Sequence, residues 1–143
     1  MKILLNTEYR WLYDFVHTLP SSFDTLPNAT VLHKGRSEIK LVTIGDYKLV
    51  IKSYRSISLF NRVIYGRLRQ SKSVRAYTNA MHLLSLGIAT PKPIAAIDNY
   101  SRGVLRESMF IAELSEFHPI DFEVETGRDR EFLLDTLAQF LAK

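Results

Sequence analysis

Lys52 is the residue whose type and position most invite chemistry. It ends the aliphatic run Leu49-Val-Ile51 inside Tyr47-Lys-Leu-Val-Ile-Lys-Ser-Tyr-Arg55, and a continuous apolar run suits a strand covered on both faces. An ammonium carried out of such a strand has two uses. It neutralises the phosphates of a bound nucleotide, or it reaches water along its flexible stem. The nine residues alone leave both readings open. Upstream, Lys34-Gly-Arg-Ser37 has the composition of a tight turn. Gly35 stands where a phosphate-covering loop would lie, although a single glycine is equally the mark of an ordinary hairpin.

Other chemistries are thinly represented. The 143 residues contain no cysteine, which excludes disulfides and thiolate metal sites, and His17, His33, His82 and His118 are scattered without ligand spacing. Met1-Lys-Ile-Leu-Leu5 is too short an apolar run for a signal peptide, and no stretch approaches the ~20 apolar residues of a membrane span. The expectation is a soluble, cytoplasmic protein whose residues 1–143 form one domain with its own core. The net charge of +4 is unevenly spread: every charged residue from Lys52 to Arg75 is basic, whereas acids dominate from Glu113 onwards. That layout fits either an anionic partner or solvated faces that attract one another.

The elements that must position Lys52 follow from periodicity. Asn6 or Thr7 caps a helix over residues 6–20 whose stripe is Tyr9, Leu12, Val16 and Leu19, with Pro20 and Ser21-Ser22 stopping it. Residues 28–112 read as a sheet with an inserted helix. Thr30–His33, Glu38–Ile44 and the lysine strand form a meander, the last two joined by the hairpin turn Gly45-Asp46. A short arginine-bearing helix is predicted within residues 56–71, broken near Gly66. Ser73 caps the next helix, with Val74, Tyr77, Met81 and Leu84 as its buried stripe and Gly87 as a left-handed cap. Pro93–Ile97 and Ser108–Ala112 give two more strands, joined through a loop at residues 98–103. Residues 113–127 read as a connector, and 128–142 as a helix with Leu133, Leu137, Phe140 and Leu141 on one side. The fold class is α+β, with a mostly antiparallel five-stranded sheet.

Helix, three strands, helix, two strands, connector, helix is an order that resembles the N-terminal lobe of the protein-kinase-like fold, and within it the lipopolysaccharide kinase family of bacterial Kdo and heptose kinases. The residues carrying the resemblance are His33-Lys-Gly-Arg-Ser-Glu-Ile39, Leu49-Val-Ile-Lys-Ser-Tyr-Arg55, Asn61-Arg-Val-Ile-Tyr-Gly66, Ser71-Lys-Ser-Val-Arg-Ala-Tyr77 and Leu83-Leu-Ser-Leu-Gly-Ile-Ala-Thr-Pro-Lys-Pro-Ile94.

The resemblance implies ATP-dependent phosphate transfer to a hydroxyl of a lipid-linked sugar, at the inner face of the membrane. Lys52 would contact the α/β-phosphates, the Gly35 turn would approach them, and Glu113, Leu114 and Ser115 would form the hinge that binds adenine through backbone groups. Two parts of the family pattern are missing. Thr78 stands where a helical glutamate would pair with the lysine. The histidine-aspartate base and the ligands for Mg²⁺ belong to a C-terminal lobe that the chain does not contain, so the chain by itself is expected to be inactive. The helix over 128–142 would begin that lobe, and its uncovered stripe is expected to pair with a second copy of the chain. The alternative is a non-catalytic lobe that binds a nucleotide or a protein. Nucleic acid is the less favoured partner; it would use Arg55 to Arg75, with Phe60 and Tyr65 as stacking faces.

Overall fold

Two tight turns fix most of the sheet. Gly45-Asp46 joins β3 (Glu38–Ile44) to β4 (Tyr47–Ser53) with Ile44 opposite Tyr47, and Gly45 supplies the positive φ of +58° that such a turn needs in its first position. Arg102-Gly103 joins β5 (Pro93–Ser101) to β6 (Val104–Glu113), both residues left-handed at φ 50° and 75°, so that Ser101 faces Val104. The loop expected at 98–103 is therefore ladder almost to its tip. The computed structural model describes residues 1–54 and 70–115. Within them, β1 (Lys2–Leu5) and β2 (Thr30–Lys34) complete an antiparallel sheet in the order β1-β5-β6-β4-β3-β2.

The sheet thus has six strands among the described residues and not five. The added one is Lys2–Leu5, whose Ile3 and Leu5 pair with Ile97 and Ala95. The remaining expectations for 56–69, for the connector beyond Ser115, and for the helix 128–142 with Leu133, Leu137, Phe140 and Leu141 lie outside the described residues.

One face of the sheet is covered by the chain's own N-terminal segment. Asn6 caps a 3₁₀ turn at Thr7–Leu12, and helix α1 (Tyr13–Ser22) continues from it into a second 3₁₀ turn at Phe23–Thr25. The helix expected over 6–20 is therefore kinked at Tyr9 and runs past Pro20. Pro20 lacks an N–H to donate, but it sits in the last turn, where little helix remains to break. Tyr9, Leu12, Val16, Leu19 and Phe23 bury against Val42, Leu49, Ile51, Ile97, Met109 and Ile111. Among them lies Lys40, 6% exposed, whose Nζ donates to the Phe23 carbonyl at 2.7 Å, lies 4.3 Å from the Phe23 ring centre and 3.6 Å from Glu38 Oε1. A buried ammonium needs such partners. Lys40→Met is expected to cost roughly 1.5–3 kcal/mol, the usual worth of a hydrogen bond to a charged group, read by urea unfolding.

The other face carries helix α2 (Lys72–Ser85), which lies over β5 and β6. Its cap is Ser71, whose Oγ accepts from the Val74 N–H at 3.2 Å; the expected cap, Ser73, is buried two residues further in. The C-terminus closes as expected at Gly87 (φ 73°): Gly87 N–H donates to Leu84 O and Ile88 N–H to Leu83 O, the paired bonds of a Schellman motif. The buried side is Ser73, Val74 and Ala80, whereas Met81 is 38% exposed and Tyr77 and Leu84 are only half-buried. The helix docks through its small residues, so the long apolar side chains fall to the flanks.

Candidate functional site

Strand alternation decides which way Lys52 faces. Leu49 and Ile51 are fully buried on the α1 side, so Lys48, Val50 and Lys52 belong to the side that carries α2. Lys52 lies in register between Ile39 of β3 and Phe110 of β6, and Val50 between Leu41 and Ala112. Ile39, Leu41, Val50, Lys52 and Phe110 are all half-buried. They form an apolar floor with one ammonium at its end, beside α2. The Lys52 Nζ lies 5.5 Å from the centre of the Tyr54 ring, and the Lys72 Nζ, from the first turn of α2, lies 5.9 Å from the same ring.

The Gly35 turn and the hinge candidates sit at opposite ends of this floor. Lys34 pairs with Glu38 and Glu38 with Ser53, which puts the turn just beyond the Lys52 end of β4. Within it the Gly35 N–H donates to Ser37 O at 3.1 Å. A Cβ at Gly35 would meet only the far end of the His33 side chain, at 2.9 Å, so the backbone does not demand glycine there. At the other end Glu113 pairs with Leu49. The three residues from Leu49 to Lys52 span about 10 Å of strand.

Glu113 and Leu114, the candidates for a hinge, are partly committed to the sheet. Glu113 N–H donates to Lys92 O at 3.0 Å and Leu114 N–H to Lys48 O at 2.8 Å. The Glu113 side chain, by its register with Leu49, belongs to the α1 side, where Tyr9 donates its hydroxyl to Oε1 at 2.5 Å. Two hollows flank this end. One, of about 430 Å³, is lined by Asp46, Tyr47, Lys48, Glu113 and Leu114; the other, of about 540 Å³, is lined by Ala89 to Lys92 and by Glu113, Leu114 and Ser115.

The N-terminal segment braces Glu113 and the start of β5, a role the sequence pattern did not single out. Besides the Tyr9 bond, Asn6 Nδ2 donates to Pro93 O at 3.0 Å, Asn6 N–H donates to Ile94 O at 2.9 Å, and Lys92 pairs with Glu8 at 3.3 Å. A signal was present in Tyr9, the one stripe residue with a polar tip. Burial, then the hydrogen bond to Glu113 and its charge, push the Tyr9 phenol well above the ordinary tyrosine value of 10.0. A raised phenol holds its proton more tightly in the folded state, so its stabilisation is complete below pH 10 and is lost as the pH rises above it. Alkaline unfolding is therefore expected to begin above pH 10, and Tyr9→Phe is expected to flatten that part of the stability curve while lowering stability at neutral pH by about 1 kcal/mol.

Thr78 stands where the resemblance would place a glutamate. It is exposed, and its Oγ1 donates to Val74 O and Arg75 O of its own helix. The described part of α2 holds no acid, and among the described residues no ion pair ties Lys52 to a carboxylate. The helix is held instead by a buried polar cluster. Ser73 Oγ donates to Asp98 Oδ1 at 2.8 Å, Tyr100 OH donates to Asp98 Oδ2 at 3.2 Å, Ser71 and Ser73 hydroxyls lie 3.0 Å apart, and the Ser73 N–H donates to Ser108 Oγ at 3.4 Å. Burial, the Asp98 charge and this hydrogen bond raise the Tyr100 phenol.

No set of three or more His, Asp or Glu able to hold a metal ion occurs among the described residues. No described helix is long and apolar enough to cross a membrane. Compared with family models, curated proteins and solved structures, the chain matches none of them.

Proposed function

We propose that this chain is a nucleotide-binding lobe of the kinase-like kind, related to the lipopolysaccharide kinases, with ATP lying along the α2 side of β4. The observation that carries the reading is the placement of Lys52: half-buried, on the face shared with α2, at one end of an apolar floor whose other end is Glu113. The ~10 Å between these ends is the right order for a base at the hinge and phosphates at the lysine. Val50, Leu41 and Ala112 would underlie the base, Lys52 would meet the α/β-phosphates, and the Gly35 turn would close over them. With two hinge N–H groups committed to the sheet, adenine would be read by the other backbone groups of Glu113, Leu114 and Ser115. The phosphate acceptor would be a hydroxyl of a lipid-linked sugar at the inner membrane face, with a catalytic lobe supplying base and Mg²⁺ ligands.

One observation favours a second reading, a lobe that binds nucleotide without chemistry: α2 offers no carboxylate to orient Lys52. Titration calorimetry with ATP and with adenosine tests the shared claim. ATP is expected to bind and adenosine to bind more weakly, because the lysine end adds affinity only when phosphates are present. No heat and no competition with either ligand would contradict both readings.

A further inference from the structure

The side chains around Tyr54 carry the inference. Lys52 and Lys72 both bring an ammonium within 6 Å of its ring centre, at 5.5 Å and 5.9 Å. Arg75, one turn along α2 from Lys72, is close enough for its positive charge to act on the Tyr54 hydroxyl. Its Nε is buried with no hydrogen-bond partner among the described residues. Two ammonium groups thus face one aromatic ring, and a third positive charge acts on its hydroxyl. No acid occurs in the sequence between Asp46 and Asp98, and the Asp98 carboxylate is already engaged by Ser73 and Tyr100.

Like charges gathered at a half-buried place repel unless something neutralises them. The ring face offers each ammonium a partial counterpart, but it supplies no negative charge. Where the family resemblance calls for a carboxylate on this helix, α2 brings Lys72 to the ring that Lys52 faces and the Arg75 charge close to its hydroxyl. An unused guanidinium N–H beside two ammonium groups is the donor set of a polyanion site, with several separated positive groups for several phosphate oxygens.

We propose that Lys72 and Arg75 bind phosphate together with Lys52, so that α2 contributes cations to a polyphosphate site in place of the glutamate that would have oriented the lysine. The ligand class is a linear polyphosphate, free or as the tail of a nucleoside triphosphate. The proposal rests on the nucleotide reading for the identity of Lys52's ligand, and it explains how that lysine is placed without a carboxylate: a shared anion holds it.

The test uses the full chain, with inorganic tripolyphosphate, ATP and adenosine as probes, titrated at fixed ionic strength because phosphate binding is salt-dependent. Lys72→Met, Arg75→Met and Lys52→Ala are compared with the parent, with thermal melts run in parallel. Lys72 is exposed, so its variant keeps the fold even if Arg75→Met does not. Lys72→Met is expected to weaken tripolyphosphate and ATP by about 10- to 100-fold, the range of one charge-assisted contact, and to leave adenosine unchanged; Lys72→Arg is expected to restore binding. Tripolyphosphate binding unchanged in Lys72→Met and Arg75→Met overturns the proposal. If Lys52→Ala alone loses ATP, the proposal falls and the nucleotide reading stands. If tripolyphosphate depends on Lys72 and Arg75 but ATP binds no more tightly than tripolyphosphate, the proposal stands and the nucleotide reading falls. Tighter binding of a single-stranded oligonucleotide than of tripolyphosphate would also overturn it, in favour of a nucleic-acid backbone.

Discussion

Lys52→Ala is expected to weaken ATP binding by a hundredfold or more while moving the melting temperature by no more than a few degrees. The two effects separate because the lysine does little for the fold. Among the described residues it has no ion pair, and its recorded partner is the Tyr54 ring at 5.5 Å. A cation over an aromatic ring at a partly exposed site contributes ~0.5–1 kcal/mol, and the lost stem packing on Ile39 and Phe110 adds a similar amount. Towards a triphosphate the same ammonium can make two charge-assisted hydrogen bonds, each worth ~1.5–3 kcal/mol, which sums to at least a hundredfold in affinity. Calorimetry and a thermal melt on one preparation read both numbers. A variant that binds ATP as the parent does would remove Lys52 from the site.

The largest loss of stability outside the apolar core is expected from Asp98→Ala, at roughly 2–5 kcal/mol by urea unfolding. Asp98 is 2% exposed, and Ser73, which it anchors, is fully buried. Deleting the carboxylate leaves the hydroxyls of Ser73 and Tyr100 without their acceptor, and each buried group so stranded costs ~1–3 kcal/mol. Asp98→Asn keeps one acceptor oxygen and is expected to lose less than half as much. Because the cluster joins the first turn of α2 to β5 and β6, hydrogen exchange should quicken at α2 amides before those of β4 respond. A loss below 1 kcal/mol, or uniform quickening of exchange, would mean that α2 is held by other contacts.

What the sequence made legible is what local chemistry dictates. The Gly45-Asp46 turn, the bounds of β3, the stripe of Tyr9, Leu12, Val16 and Leu19, and the glycine cap at Gly87 all appear as read, because each depends on a few neighbouring residues. The misses share a different cause. Lys2–Leu5 shows no alternation and becomes a strand only because β5 offers it an edge. Asp98, Asn99 and Tyr100 read as loop by composition, yet they lie in the ladder, since the Asp98 carboxylate finds its partners on α2 and β5. Ser73 looked like a helix cap, and Ser71 took that role because Ser73 was drawn inward by Asp98. Met81 fits a buried stripe by spacing, but a helix seated on serine and alanine turns that position outward.

The candidate site is legible only in its residue types. Lys52 stands out as a charge ending an apolar run, and the helix that follows it contains no acid. The commitment of the Glu113 and Leu114 N–H groups to Lys92 and Lys48, and the Tyr9 bond to Glu113, depend on partners 21, 66 and 104 positions away and leave no local trace.

Phosphates bound at Lys52 on the α2 side of β4 would lie against its amine, where a nucleotide-borne label can reach it. An acyl-phosphate derivative of ATP transfers its acyl group to the amine nearest the bound phosphates and releases the nucleotide, and mass spectrometry then locates the modified lysine. Acylation is expected at Lys52, with Lys72 second, and both are expected to be protected by excess ATP. Labelling spread evenly over the exposed lysines, or an unmodified Lys52 whose neighbours are labelled without protection by ATP, would contradict the account.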